Sequence, residues 1–382
     1  MVDYPYILLY CILMFLAYKY WYTKDEKFAK WGIGFAFVFI AFRAPVVGAD
    51  TWDYVRYLTG ERNFYNNDIR DLEVGFLVYH NILSSIHPSR MIVMLLNSII
   101  SLAPVYYLLR KYSNNIPLSI LTFFIFDFYI VFFVGLRQVI GLSFLLWGYI
   151  FYLDTNKSLS KKIVVYLFAS AIGFYFHTST IIYSIIFAGV LFIPLSSRKS
   201  YLIIIITSLV MGVFLKALSI TDIFDAYLRI GFDATERIDN YLLNFEENTE
   251  QQINTIIRLS IIGCFVYGYM DEAQLKHPFS KIFLVAIVFY NLFYTVPMIH
   301  RLIQPISLFG CFIITWTSGE LLYNKDRKSS IYKFLLILLL LYFFRSQCIQ
   351  CADWSPYNSG RLHPYYFIFE DYMDHPSVTI FG

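Results

Sequence analysis

The sequence predicts an all-α, polytopic transmembrane bundle of about 12 spans plus one re-entrant segment, and three observations carry that reading. Apolar residues make up 58% of the chain, charged residues only 15%, and the mean hydropathy is +0.57, which together exclude an ordinary soluble domain. Aromatic residues reach 20% and recur through nearly every apolar run, as in helices buried all round and anchored at two interfaces. The apolar runs follow one another with short basic connections between them. A net charge of +3 is too small to point to nucleic acid.

The first run, 4–22, is preceded by Asp3 and no basic residue and is followed by Lys24, Lys27 and Lys30, so it does not have the charge order of a signal peptide. Positive residues stay on the cytoplasmic side, which places the N-terminus outside and the first connection inside. Further spans are expected at 31–42, 91–109, 116–134, 139–153, 163–176, 178–194, 202–218, 253–270, 279–298, 303–322 and 331–344. Several are shorter than the roughly 20 residues of a full crossing, so their helices are expected to end inside a water-filled cavity. The weaker stretch 72–90, with Glu73, His80 and His87, reads as re-entrant or interfacial. As a true span it would carry Arg110, Lys111, Lys157, Lys161 and Lys162 to the outer side. The organisation that follows is a transmembrane domain, 1–348, with outer loops at 44–90 and 220–252. An aromatic-rich extracytoplasmic tail, 349–382, completes it, so both termini are expected outside.

Cys11, Cys264 and Cys311 lie in apolar runs and read as small hydrophobes. Cys348 and Cys351 form a C-x-x-C pair beyond the last run, a candidate disulfide in an oxidising compartment.

On this topology only Arg110, Arg198 and Arg327 fall inside, whereas Lys216 is the single lysine outside. Arginines gathered on the face where cations are disfavoured need another reason. A planar guanidinium binds phosphate or carboxylate with two parallel hydrogen bonds and keeps its proton when desolvated, which suits an anionic ligand on that side. Arg56, Arg62 and Arg70 are expected to pair instead with the acids of their own loop.

The stretch 43–54 combines a helix-end arginine, a Pro/Gly turn and the carboxylates Asp50 and Asp53. Arg43, Arg137 behind Gly135, and Arg301 between two prolines each stand beside an interrupted helix, where freed N–H groups and helix N-termini favour anions. A snorkelling interfacial role is the alternative for each. His177, before Thr178 and Ser179, and His300, beside Arg301, are candidate proton carriers or hydrogen-bonding groups. Asp50 doubles as a helix cap with Asp53 at the third position. These two acids lack a nearby third ligand and make a poor metal site, and no cofactor is expected. In the loop 221–252, Arg229, Arg237 and Tyr241 are candidates to touch a ligand, or belong to a solvated amphipathic helix.

Taken in order, Arg43 with Val47-Gly48-Ala49-Asp50-Thr51 and Tyr54, then Glu73-Val74-Gly75-Phe76, Leu136-Arg137-Gln138, Phe176-His177-Thr178-Ser179 and His300-Arg301 resemble the EpsG-like family. That family is similar to the Wzy-type polymerases of bacterial O-antigen, capsule and exopolysaccharide loci. The likeness runs from about residue 30 to 320 and departs at Ala49, where members commonly carry threonine. It implies a GT-C-like glycosyltransferase at the outer face of the bacterial inner membrane, joining repeat units carried on undecaprenyl diphosphate. Lipid-linked donor and acceptor, membrane lipids and a chain-length regulator are the partners so implied. On this resemblance Arg137 and Arg301 would bind the diphosphate, with Arg43, Arg237, Tyr241 and His300 supporting. His177 would be the base, with Asp50 or Glu73 behind it. A flippase for the same lipid-linked glycans, an O-antigen ligase and an O-acyltransferase are the competing readings.

Overall fold

The computed structural model describes residues 3–48, 51–61, 72–218, 249–294, 296–323, 327–352 and 365–370. In chain order the helices are α1 (Tyr4–Thr23), α2 (Glu26–Ala41), α3 (Thr51–Leu58), α4 (Val74–Ile86), α5 (Arg90–Tyr112) and α6 (Ile116–Ile125). They continue with α7 (Ile130–Val134), α8 (Leu136–Tyr152), α9 (Leu159–Phe176), α10 (Thr180–Gly189), α11 (Arg198–Ala217) and α12 (Thr249–Tyr269). The last are α13 (Glu272–Lys276), α14 (Pro278–Leu292), α15 (Pro297–Ser307), α16 (Gly310–Tyr323) and α17 (Arg327–Ala352). The chain forms two compact units, Met1–Ile185 with Ser318–Gly382, and Ile186–Thr317. No strand occurs among the described residues, in agreement with the all-α expectation.

Local chemistry sets the helix starts. Asp25 accepts from Lys27 N–H at the head of α2, Ser89 from Ile92 N–H at the head of α5, and Asn115 from Leu118 N–H at the head of α6. Each satisfies a donor that the first turn leaves orphaned. Pro5, Pro117 and Pro278 occupy first-turn positions, where a missing N–H costs nothing.

The helices are amphipathic in the sense suited to lipid. On α11 the buried positions are Tyr201, Ile205, Ser208 and Gly212, while Ile203, Ile206, Val210 and Val213 are exposed. Leu159, Val164, Leu167 and Phe168 are likewise exposed on α9. Small or polar groups such as Ser208 and Gly212 on the inward face, with large apolar groups covering the outward one, is the arrangement of helices in a bilayer. Arg90–Tyr112, Leu159–Phe176 and Arg198–Ala217 are long and apolar enough to cross one. These features make the chain a helical, multi-pass membrane protein.

Small residues also set how closely helices approach. A Cβ on Gly148 would lie 2.5 Å from Ala169 Cβ, and one on Gly141 would lie 2.8 Å from the Gly173 carbonyl oxygen, so α8 and α9 cross almost backbone to backbone. In unit 2, a Cβ on Gly212 would come 1.8 Å from the Asn291 carbonyl oxygen. There Asn291, 1% exposed, donates to Ser208 Oγ at 2.9 Å and accepts from Ser260 Oγ at 2.9 Å, joining α11, α12 and α14. Asn291→Ala leaves two buried hydroxyls without this partner and is expected to destabilise unit 2 by about 1–3 kcal/mol, read as a lower unfolding midpoint in detergent.

His277, between α13 and α14, shows how a connection is fixed. Its Nδ1 accepts from Phe279 N–H at 3.3 Å, and its ring packs edge-on against Phe279 and Trp316. Burial pushes the imidazole pKa down to about 4. The folded state therefore binds fewer protons than the unfolded one between that value and about 6.5, so His277 opposes folding increasingly as pH falls through this window. Unfolding midpoints at pH 7 and pH 5 are expected to differ more for the parent protein than for His277→Asn.

Two expectations about span boundaries are corrected. The run 116–134 is not one helix: it breaks at 126–129, where Asp127 adopts a left-handed conformation (φ 61°). The Asp127 carboxylate accepts from Gln347 Nε2 at 3.0 Å, and Gln347, 3% exposed, also donates to the Ile125 carbonyl at 3.3 Å. A side chain far away in sequence thus covers the freed polar groups of the break. The runs 279–298 and 303–322 divide into α14, α15 and α16: Pro297 opens a new helix after the turn that follows Leu292, and a second turn at Leu308 and Phe309 separates α15 from α16. Helix α17 reaches Ala352, so Cys348, whose thiol is free, lies within a helix, and the Cys351 side chain lies outside the described residues.

Candidate functional site

Three helix ends meet in unit 1 and bring separate sequence motifs together. Glu73 precedes α4, Arg137 lies in the first turn of α8, and His177 caps α9. Arg137 Nη1 donates to Glu73 Oε2 at 2.6 Å, and Glu73 Oε1 accepts from Thr178 N–H at 3.3 Å. One carboxylate thereby joins α4, α8 and the turn after α9. The pair is half-buried, with side chains 19% and 13% exposed. The Arg137 guanidinium also lies 5.2 Å from the Tyr54 ring centre and 5.9 Å from that of Phe76.

Each residue of the second motif has a local reason. Phe76 is fully buried in a cluster with Val55, Leu83, Met94 and Leu136, which presses α4 against its neighbours. A side chain on Gly75 would place its Cβ 2.6 Å from the Tyr175 carbonyl oxygen, so glycine allows α4 to reach the end of α9. Phe176 stacks on Phe144 with ring centres 5.2 Å apart and holds that end of α9 to α8.

His177 is oriented by its own turn. Its Nδ1 accepts the Ser179 backbone N–H at 3.2 Å and lies 2.7 Å from Ser179 Oγ. With Nδ1 acting as acceptor, the proton of the neutral ring resides on Nε2. Gln138, next to Arg137, donates to Tyr183 OH on α10.

Arg43 has a different environment. It is 2% exposed, and its guanidinium donates to the carbonyls of Ile40 at 2.7 Å, Val47 at 3.3 Å, Phe132 at 3.0 Å and Phe133 at 3.5 Å. It also lies 4.3 Å from the Phe133 ring centre. Thr51 Oγ1 donates to the same Phe133 carbonyl. The carbonyls of Phe132 and Phe133 are ones that the short helix α7 leaves open at its end, so Arg43 and Thr51 cap α7 and fix the backbone that leads through Gly135 into α8. A small cavity beside Arg43 is lined by Asn97, Ser98 and Ser101 among others. Asn97 Oδ1 accepts from Tyr79 OH at 2.7 Å, which ties α4 to α5.

Of the loop arginines, Arg56 lies over the Trp52 ring. Glu61 pairs with Arg90 from α5, Nε to Oε1 at 2.8 Å, and that guanidinium holds its carboxyl below the usual range. Asp53 is half-buried on α3. Asp50, Arg62, Arg70, Arg229, Arg237 and Tyr241 lie outside the described residues, as do the side chains of His300 and Arg301, whose backbone belongs to α15.

The residues gathered here come from motifs spread from position 43 to 179, and a family comparison covers all of them, matching across residues 32–359. The chain belongs to the EpsG family. These are Wzy-type polysaccharide polymerase-like proteins, so the EpsG assignment implies lipid-linked sugars in general as substrates. Comparison with curated proteins and with solved structures gave no match. Within this EpsG-family chain, sequence reading did not single out the Thr178 backbone N–H, the ring of Tyr54 or Ser179 as parts of the site. The first is a main-chain group and carries no residue signature. The other two could be found only from the order in which the motifs follow one another.

Proposed function

We propose that the protein is a membrane glycosyltransferase that polymerises oligosaccharide repeat units carried on a lipid diphosphate, undecaprenyl diphosphate in a bacterial inner membrane, with the reaction on the outer face. The observation that carries this reading is Arg137: a half-buried guanidinium held through Nη1 by Glu73, over an aromatic ring, at a helix N-terminus. Only one of its nitrogens is used by Glu73, and a planar fork so held is suited to a phosphate oxygen pair.

In the proposed step the acceptor sugar hydroxyl attacks the anomeric carbon of the donor glycan. The bond from that carbon to the phosphate oxygen breaks, and the lipid diphosphate leaves with the electron pair. Arg137 stabilises the charge gained by the leaving group, and the N-terminus of α8 adds to it. Glu73 takes the hydroxyl proton. His177, whose Nδ1 is occupied by Ser179, donates from Nε2 to a phosphate or sugar oxygen rather than acting as the base. Arg43 acts one step back, by fixing the backbone ahead of α8. The roles proposed for the remaining residues rest on the family resemblance alone: Arg301 on the diphosphate, with Arg237, Tyr241 and His300 supporting, and Asp50 behind the base.

Deleting the gene and resolving the surface glycan on a gel tests this reading. The expected result is loss of the ladder with a single repeat retained. Loss of all surface repeats would indicate a flippase or ligase instead, and an unchanged ladder an O-acyltransferase or other modifying enzyme.

A further inference from the structure

The segment 365–370 returns to the start of the chain and lies on the Arg43 loop. Ala44 N–H donates to the Tyr366 carbonyl at 2.8 Å and Ile368 N–H to the Phe42 carbonyl at 2.8 Å, which forms an antiparallel bridge between Arg43 and Phe367. Tyr365 N–H donates to Asp3 Oδ2 at 3.0 Å, and Tyr365 OH donates to the Phe39 carbonyl. Its ring stacks on Phe39 at 4.2 Å and meets Tyr6 edge-on at 5.4 Å. Tyr365 and Asp3 are 5% and 4% exposed, so this is a packed joint and not a tail resting on a surface.

Both halves of the joint, Asp3 and Tyr6 on one side and 365–370 on the other, lie outside the stretch 32–359 that matches the family. The part they hold lies inside it. Arg43, bridged by the strap, is the residue that caps the carbonyls of Phe132 and Phe133, and four residues after Phe133 comes Arg137. The contacts thus run in series from Tyr365 through the end of α2 and Arg43 to the end of α7 and the first turn of α8.

We infer that the strap 365–370 is a positioning element, which holds the Arg43 loop and through it places Arg137 in the site. Its role in transfer rests on the function proposed above; its role in holding the loop does not. Three hydrogen bonds from backbone donors and one from a tyrosine hydroxyl, in a site sheltered from water, suppress local opening of residues 42–48. The strap has no need to touch substrate to act in this way.

Two full-length variants test it. Tyr365→Ala removes the stack and the hydroxyl, and Ile368→Pro removes the N–H that Phe42 accepts. Amide hydrogen exchange is expected to quicken at least tenfold at Ala44, Val47 and Thr51 in both, while amides in the middle of α5 and α8 keep parental protection. Polymer made in a strain lacking the parent gene is expected to fall in yield, with Tyr365→Phe closer to the parent than Tyr365→Ala. Unchanged exchange at 44–51 would overturn the inference, as would quickened exchange with a full parental ladder. If Arg137→Lys also left the ladder intact, the functional reading would fail while the exchange result still decided whether the strap holds the loop.

Discussion

Arg137→Lys is expected to cut polymer formation by about 10²–10³-fold at normal expression, the effect of removing one preorganised donor from a charge-stabilising site. Lysine keeps the charge but loses the fork, so while it pairs with Glu73 it cannot offer a phosphate two parallel, fixed hydrogen bonds. The Glu73 carboxylate would keep a cationic neighbour, and the fold should be little changed. Arg137→Ala is expected to be worse in both respects, because it leaves a half-buried carboxylate without its 2.6 Å partner. The measurement is the length and yield of surface glycan from each variant, with the unfolding midpoint in detergent read alongside. Loss of polymer with an unchanged midpoint is the expected pattern for Lys, and loss of both for Ala.

Gly48→Ala is expected to damage the same site from a distance. Gly48 has φ 120°, a conformation L side chains rarely adopt, and an added Cβ would lie 2.1 Å from the Phe133 carbonyl oxygen. That oxygen accepts from Thr51 and Arg43, so the methyl group cannot enter without breaking the cap on α7. A cost of about 1–3 kcal/mol from overpacking and strain is expected, with polymer lost in proportion to the displacement of α8. Gly34→Ala is the matching control, since a Cβ there meets nothing within 4 Å in the interior of α2. It should leave activity intact and stabilise slightly, by about 0.5–1 kcal/mol.

Much of this arrangement was legible in the sequence, for reasons that differ between residues. Apolar run length fixed α1, α5, α9 and α11 closely, because burial in lipid demands continuous helix. Arg137 stands out because charge beside a helix interruption is costly unless it has a use, His177 because an imidazole titrates near neutrality, and Glu73 through the order of the motifs; in the structure the Glu73 carboxylate accepts from both Arg137 and the Thr178 N–H. The same rule selected Arg43, but it cannot distinguish a ligand from a backbone carbonyl as the partner. In the structure the Arg43 guanidinium faces four carbonyls. The break at Asp127 was hidden because Gln347 satisfies it from the other end of the chain. The strap was hidden for a similar reason: Tyr365 reads as one more aromatic residue until Asp3 and Phe39 are seen beside it.

The most direct measurement is transfer by the purified protein in lipid, supplied with a diphosphate-linked repeat unit as both donor and acceptor. The account predicts that each added repeat releases one lipid diphosphate, that products form a ladder, and that Arg137→Lys lowers the rate by about 10²–10³-fold while Gly34→Ala does not. A ladder of undiminished rate from Arg137→Lys, or glycan growth without release of lipid diphosphate, would contradict it.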